Sequence, residues 1–264
     1  MEFRGAVLDV DGTVLRGNER IPGATTGLDA LRRAGVDRVF FSNNPTKAPP
    51  VYAERFARAG IDVDPDEVLT SGTATTAYLE AEHAADSLFV VGETGLTAQF
   101  EDAGLTVTAD PTAADAVVVS VDREFHYDDL VAAMVALEDE SVPFLSTDPD
   151  MTIPAVDRDV PGSGAMTHAV AGVAGRSPDA TLGKPSAHAR RSALDRLGHD
   201  AERCLIVGDR LDTDIALGAS AGMTTVLVKT GITDDRALAE SAVEPDYVLD
   251  AFADIEQVLG GRRF

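Results

Sequence analysis

The sequence predicts an α/β protein built on a mostly parallel sheet. Two features carry this expectation. Short apolar runs of strand length alternate with longer stretches whose apolar residues recur at helical spacing. Clusters of Asp, Asn, Ser and Gly follow directly on several of these runs, as they do where the strands of a parallel sheet end.

The first strand is expected over residues 5–10, with Ala6, Val7 and Leu8 as its apolar run. A turn-rich stretch leads to a helix over 23–34, where Ala24, Leu28 and Leu31 share a face and Gly35 is the stop. A second strand over 36–41 ends at Ser42-Asn43-Asn44-Pro45. The next helix carries Tyr52, Phe56 and Ala59 on one side, with Gly60 after it. Residues 68–82 supply a short strand and a small helix.

Strands are then expected at 88–91 and 116–121, followed by a helix whose apolar face is Leu130, Met134 and Leu137. Phe144 and Leu145 end near Ser146-Thr147-Asp148-Pro149, and Pro161-Gly162-Ser163-Gly164 leads into a helix of small residues. The last third resumes the first pattern. A helix over 186–197 stops at Gly198, and a strand over 204–207 stops at Gly208-Asp209. A short helix through Ile215 and Ala219 reaches Gly222, strands follow at 226–228 and 247–249, and Phe252, Ile255 and Leu259 close the chain. The middle stretch is long enough to be a domain of its own. The expected organisation is a discontinuous core of 1–82 and 179–264, with 83–178 inserted as a second α/β domain.

The 264 residues suffice for one or two domains with real cores. Lys and Arg number 22 and Asp and Glu 45, so the formal charge is 22 − 45 = −23. Such a field repels polyanions and disfavours nucleic acid and anionic membrane as partners. No stretch approaches a membrane span. The acidic residues are spread along the chain, and of the 22 basic residues only Lys47, Lys184 and Lys229 are lysines. That pattern is expected of the solvated surface of a halophilic, haloarchaeal-type protein, because concentrated salt screens the self-repulsion. Arginine-rich codon bias over an ordinary acidic fold is the alternative. The single Cys204 excludes an intramolecular disulfide and any multi-cysteine metal site. The first residues carry acid and an early strand run, unlike a signal peptide. A soluble cytoplasmic protein is expected.

Three polar clusters fall just after strands: Asp9-Val10-Asp11-Gly12-Thr13, Ser42-Asn43-Asn44, and Gly208-Asp209 followed by Asp212 and Asp214. Lys184, in Gly183-Lys184-Pro185, precedes a helix of the resumed core. Carboxylates crowded together repel one another and hold protons unless a cation joins them. A hard divalent ion such as Mg²⁺ answers that need, and an opposing lysine suits a phosphate group. The five histidines show no ligand spacing and are expected at surface or helix positions. Gly92 and Gly95 do not make a dinucleotide fingerprint, and no GxxxxGK[ST] phosphate loop is present.

These residues resemble the four ordered motifs of the haloacid dehalogenase-like (HAD) phosphatase superfamily. They are Asp9-Val10-Asp11-Gly12-Thr13-Val14, Ser42-Asn43-Asn44, Lys184, and Gly208-Asp209-Arg210-Leu211-Asp212-Thr213-Asp214. Within the superfamily the chain is most similar to the NagD and p-nitrophenylphosphatase branch. That likeness rests on Ser42-Asn43-Asn44-Pro45-Thr46-Lys47, Val91-Gly92-Glu93, Asp122-Arg123-Glu124-Phe125, Thr147-Asp148-Pro149-Asp150, Pro161-Gly162-Ser163-Gly164 and Gly183-Lys184-Pro185. Members of the branch often carry Asn at the position of Asp148, so the extra carboxylate alters the polarity of this region.

The resemblance implies a Rossmann-like three-layer α/β/α core with an inserted α/β cap, and a magnesium-dependent phosphomonoesterase. Asp9 is the implied nucleophile, carrying an aspartyl phosphate. Asp11 is the implied general acid and then base, and gives magnesium its backbone carbonyl. Gly12 lets the loop close on phosphate, with Thr13 setting that loop by a local hydrogen bond. Ser42 and Asn43 donate to phosphoryl oxygens, and Lys184 offsets phosphate charge. Magnesium falls to Asp9, Asp11 and Asp209, with Asp214 holding a metal-bound water or orienting Lys184. Asp212 and Lys47 are expected at the solvated surface. The implied partner is a small phosphorylated metabolite: phosphoglycolate or a sugar, glycerol, nucleoside or aryl phosphate. The state is a monomer or homodimer. The cap is expected to exclude water and read the organic part of the substrate. A phosphonate hydrolase or phosphomutase, and an idle binding protein of the same fold, are the alternatives. Asp11 favours ester cleavage over the first. Retention of Asp9, Asp11, Lys184 and Asp209 speaks against the second. A dehalogenase needs no magnesium cluster.

Overall fold

A computed structural model describes residues 2–153 and 158–260. The chain forms two compact units. One comprises Met1–Ser42, Pro49–Leu69 and Lys184–Phe264, and the other Asn43–Ala48 and Thr70–Gly183.

The first unit is built on a six-stranded sheet. Its strands lie in the spatial order Tyr247–Leu249, Thr224–Val228, Cys204–Gly208, Gly5–Leu8, Asp37–Ser42 and Val68–Thr70. The first five run parallel, with Gly5 opposite both Cys204 and Asp37. Alternate side chains point to opposite faces of the sheet. Ala6, Leu8, Phe40, Leu205, Val207, Val226 and Val228 pack on one face against Leu28, Leu31, Tyr52, Phe56 and Phe252. Leu227 packs on the other with Leu211 and Ile215. Both faces are covered, so the strands read as continuous apolar runs. The result is the three-layer α/β/α arrangement expected.

The second unit repeats this logic at smaller scale. Its five parallel strands lie in the order Ala180–Thr181, Phe144–Ser146, Ala116–Val119, Ser87–Val91 and Thr106–Thr108. Leu88, Val118 and Leu145 face Leu79, Leu96 and Phe100. Phe89, Val117, Val119 and Phe144 face Ala133, Leu137 and Val170.

The expected stops Gly35, Gly60, Gly198 and Gly222 all adopt left-handed backbone. Three readings are corrected. The helix Tyr127–Ala136 buries Ala133 and Ala136, whereas Met134 is 47% exposed. Leu137 is buried and Leu130 packs against the same cluster as expected, so only Met134 leaves the expected face. The helix Ser71–Glu82, expected within the 1–82 part of the core, clusters with the second unit, where its Leu79 is buried. Ala180–Thr181 likewise pairs with Phe144–Ser146, so the second unit extends to Gly183 rather than 178. The helix Thr94–Asp102 and the short ribbon of Leu15–Arg16 with Glu19–Arg20 were not anticipated. No helix among the described residues is long and apolar enough to cross a membrane.

Candidate active site

The chain leaves Gly5–Leu8 toward Asp37–Ser42 on one side, while Cys204–Gly208 lies on the other. Strand order reverses between these neighbours, and in open α/β sheets ligands bind beyond the strand ends at such a reversal. Asp9 follows one central strand and Asp209 the other. The Asp9 amide donates to the Val207 carbonyl at 2.9 Å, carrying the strand pairing up to the acid itself.

Lys184 stands two residues ahead of Ser186, which caps the helix Ala187–Leu197. Its side chain is buried, and Nζ donates to Asp9 Oδ1 at 2.7 Å, Asp214 Oδ1 at 2.6 Å and the Phe41 carbonyl at 2.7 Å. Burial opposes the Lys184 charge, but Asp214 and Asp9 outweigh it and drive its pKa upward. Asp214 sits in the wide helical turn Leu211–Ile215 and accepts the Arg210 amide through Oδ2 at 3.2 Å.

Asp209 is held by the loop after Thr224–Val228. Its Oδ2 accepts the Ile232 amide at 2.7 Å, and its carbonyl accepts the Thr233 hydroxyl at 2.6 Å. Side chains are excluded here. A Cβ on Gly231 would lie 1.7 Å from Asp209 Oδ2, and one on Gly12, at φ +94°, would lie 2.4 Å from it. Thr230 ties the two loops together by donating to the Gly12 carbonyl at 2.6 Å. Residues 230–233 lie outside the motifs that the sequence offers. A glycine directly beyond a strand, in Lys229-Thr230-Gly231, was the available signal.

Asp9, Asp209 and Asp214 can each place a carboxylate oxygen within 4.8 Å of the others, all buried. Three carboxylates against the one ammonium would leave −3 + 1 = −2 if all were ionised. The field shows in the acidities of Asp9 and Asp209. Burial first, then Asp214 and Asp209 against the lowering effect of Lys184, hold Asp9 well above the usual carboxylate range. Burial and Asp214 push Asp209 up to about 7. Asp9 Oδ2 and Asp209 Oδ1 are buried with no hydrogen-bond partner. Two orphaned carboxylate oxygens in an anionic pocket fit a hard divalent cation, which would supply their missing partner.

Asp11 departs from this cluster. Its side chain is 45% exposed and its oxygens are taken by Arg55, with NH1 3.1 Å from Oδ2 and NH2 2.5 Å from Oδ1. Ser42 is buried and its Oγ lies 2.8 Å from the Tyr52 hydroxyl. Burial, with the nearby Asp11 charge, raises the pKa of Tyr52. The apolar face of the sequence marks Tyr52 as core alone, and nothing local marks Arg55. Both lie on the helix Pro49–Arg58, three residues apart on one face. Thr13 was expected to hydrogen-bond locally, but its hydroxyl is buried and unpartnered. Asp212 and Lys47 are exposed, as expected. His83 is an exception among the histidines, buried 2.7 Å from Asp86.

Asn43 belongs to the second unit, where its amide nitrogen donates to Asp150 Oδ1 at 3.3 Å. Nearby, the Thr147 hydroxyl donates to Asp148 Oδ2 at 3.0 Å and the Asp150 amide to Oδ1 at 3.2 Å. Burial and the Asp150 charge push Asp148 up to about 7.

The fold and the cluster place three buried carboxylates and a lysine at the strand ends of a parallel α/β sheet, an arrangement suited to an enzyme site. Comparison with known proteins agrees. The haloacid dehalogenase-like hydrolase family matches residues 6–106, and a HAD hydrolase-like family matches residues 181–255. An acid sugar phosphatase of Staphylococcus epidermidis is 34% identical over 245 residues, covering 93% of each chain. That of Staphylococcus aureus strain MRSA252 is 33% identical over 258 residues, covering 98% of this chain and 97% of the relative. Among solved structures, the p-nitrophenyl phosphatase from Archaeoglobus fulgidus superposes with a TM-score of 0.91 at 33% identity, covering 98% of this chain and 100% of that one. NagD from E. coli K-12 gives 0.86 at 30% identity, covering 97% and 99%. The protein belongs to the haloacid dehalogenase-like hydrolase family, in its NagD-like branch.

Replacing Lys184 with Met should lower the stability of the protein in EDTA by about 3–5 kcal/mol, because buried carboxylates lose their counter-charge. Urea denaturation measures this. A loss below about 1 kcal/mol would show the ion pairs contribute little.

Proposed function

We propose that this protein is a magnesium-dependent phosphomonoesterase that cleaves a small phosphorylated metabolite through a phosphorylated Asp9. The observation that carries the reading is the meeting of Asp9, Asp209, Asp214 and Lys184 at the strand ends, with two carboxylate oxygens left unpartnered. Asp9 and Asp209, with the backbone carbonyl of Asp11, are the residues assigned to the cation. Bound there, Mg²⁺ would neutralise phosphoryl charge and let one anion approach another.

The chain's own groups do the rest. An Asp9 carboxylate oxygen attacks phosphorus, and the bond to the ester oxygen breaks. Asp11, protonated from solvent at its exposed edge, gives that proton to the leaving oxygen. Water then attacks the phosphorylated Asp9 and the phosphorus–carboxylate bond breaks. The electron pair returns to Asp9, and the water proton passes to Asp11. Lys184 keeps Asp9 oriented through its ion pair and faces the phosphate charge. Ser42, with Asn43 next in the chain, is assigned to the phosphoryl oxygens, and Gly12 to the loop that admits them. Asp214 orients Lys184 from its other side.

The second unit, Asn43–Ala48 and Thr70–Gly183, is assigned as the cap domain that selects the organic part of the substrate. Relatives titled acid sugar phosphatase and p-nitrophenyl phosphatase support sugar phosphates as the substrate class, with aryl phosphates as convenient probes. The proposal includes a salt-rich cytoplasmic setting, supported by the charge of −23 and a free, buried Cys204.

p-Nitrophenyl phosphate should be turned over with Mg²⁺ and not in EDTA, and Asp9→Asn should form no phosphoenzyme under acid quench. Equal turnover in EDTA, or a labelled Asp9→Asn protein, would refute the mechanism. Cation binding should also depend on pH. The folded-state pKa of Asp209, about 7, is raised above the unfolded carboxylate value. Ionising it in the cation-free protein therefore opposes folding, and its contribution to stability falls as pH climbs toward and through 7. A divalent cation needs the ionised form, so the rise in Tm on adding Mg²⁺ should be larger at pH 8 than at pH 5.5 by calorimetry. A rise independent of pH would place the cation elsewhere. Raising KCl from 0.1 M to 2 M should raise Tm if surface self-repulsion limits stability, and a flat response would remove the halophilic part of the proposal.

A further inference from the structure

We infer that Arg55 is a positioning residue for Asp11, holding the carboxylate that moves the proton. The inference rests on the phosphomonoesterase reading and deepens it. Asp11 is half-exposed, and an aspartate so placed ordinarily samples several rotamers. Here both of its oxygens meet one guanidinium, the parallel two-point contact that fixes orientation as well as distance. The same guanidinium reaches the Gly17 carbonyl, with Nε at 2.7 Å and NH2 closer still. Arg55 thus clamps two points of one loop, the acid just after the first strand and the turn of the ribbon that follows.

Arg55 is itself fixed. Its side chain is 10% exposed, and its guanidinium carbon lies 5.7 Å from the centre of the Tyr52 ring one helical turn earlier. Tyr52 in turn meets Ser42 through its hydroxyl. One face of the helix Pro49–Arg58 therefore supports two strand-end loops, Ser42 through Tyr52 and Asp11 through Arg55. Arg55 contributes no atom to the reacting phosphate in this assignment. It keeps the Asp11 carboxylate in place to take the proton of the attacking water; to serve the leaving oxygen, Asp11 first takes up a proton at its exposed edge while one guanidinium contact gives way. A lysine could hold one oxygen but could not bridge the carboxylate and Gly17 together.

Such a role has a signature that a purely structural residue lacks. A nitrophenolate leaving group departs without a proton, whereas an alcohol leaves slowly unless protonated. With glycerol phosphate, Arg55→Ala should lower kcat by roughly 10- to 100-fold, less than the full worth of a general acid, with KM changed less than about 3-fold. With p-nitrophenyl phosphate, phosphorylation of Asp9 should stay fast and its hydrolysis slow, giving a burst of nitrophenolate equal to the enzyme concentration. Added guanidinium should restore part of the lost kcat, and Arg55→Lys should lie between wild type and Arg55→Ala. Equal losses on both substrates, with no burst and no rescue in either variant, would overturn the assignment, as would unchanged kcat. If Arg55→Ala fails to fold, the comparison passes to Arg55→Lys, where the same substrate contrast decides. Wild-type enzyme that cleaves neither ester with Mg²⁺ present would instead refute the phosphatase reading itself, and the Arg55 assignment with it.

Discussion

An ammonium group sealed from water needs acceptors for its protons and counter-charge for its field, and Lys184 finds both within 2.7 Å. Asp9, Asp214 and the Phe41 carbonyl surround it. Asp9 stands 175 residues from Lys184 in sequence. The contact therefore ties the first strand to the resumed half of the discontinuous unit. Removing any one partner leaves a buried charge or an empty acceptor, which is why the four groups behave as one unit rather than as separate bonds.

That arrangement is deliberately incomplete. Asp209 and the second oxygen of Asp9 add negative charge that Lys184 does not balance, and the protein holds them there with backbone. The Ile232 amide and the absence of side chains at Gly12 and Gly231 keep Asp209 in place. Acids forced together in this way bind protons or a cation more strongly than isolated ones. The cost of holding these acids together is carried by a sheet whose strands are buried on both faces.

The second unit has its own buried acid. Asp148 lies among the hydroxyls of Thr147 and Ser163 and beside Asp150, which also accepts from Asn43. Several of these residues were visible beforehand as a run, Thr147-Asp148-Pro149-Asp150, because local motifs survive without knowledge of the fold. The limits of the unit were less legible. The helix Ser71–Glu82 and the two-residue strand Ala180–Thr181 carry no marker of the sheet they join. Only Leu79 packing beside Leu96, and Ala180 pairing with Leu145, decide that question.

The sequence by itself determined the fold class, the alternation of strand and helix, and the identity of the acids and lysine at the strand ends. It could do so because apolar periodicity and short polar motifs are local properties of the chain. Tertiary structure alone decided which of these groups meet. It brought Asp214 to Lys184, set Asp11 against Arg55 rather than among the buried acids, and placed Tyr52 on Ser42. A periodic face marks a residue as buried but does not say which polar atom its far end will touch. That depends on the register of strands and on the seating of a helix against a sheet, both of which are set by packing across the whole unit.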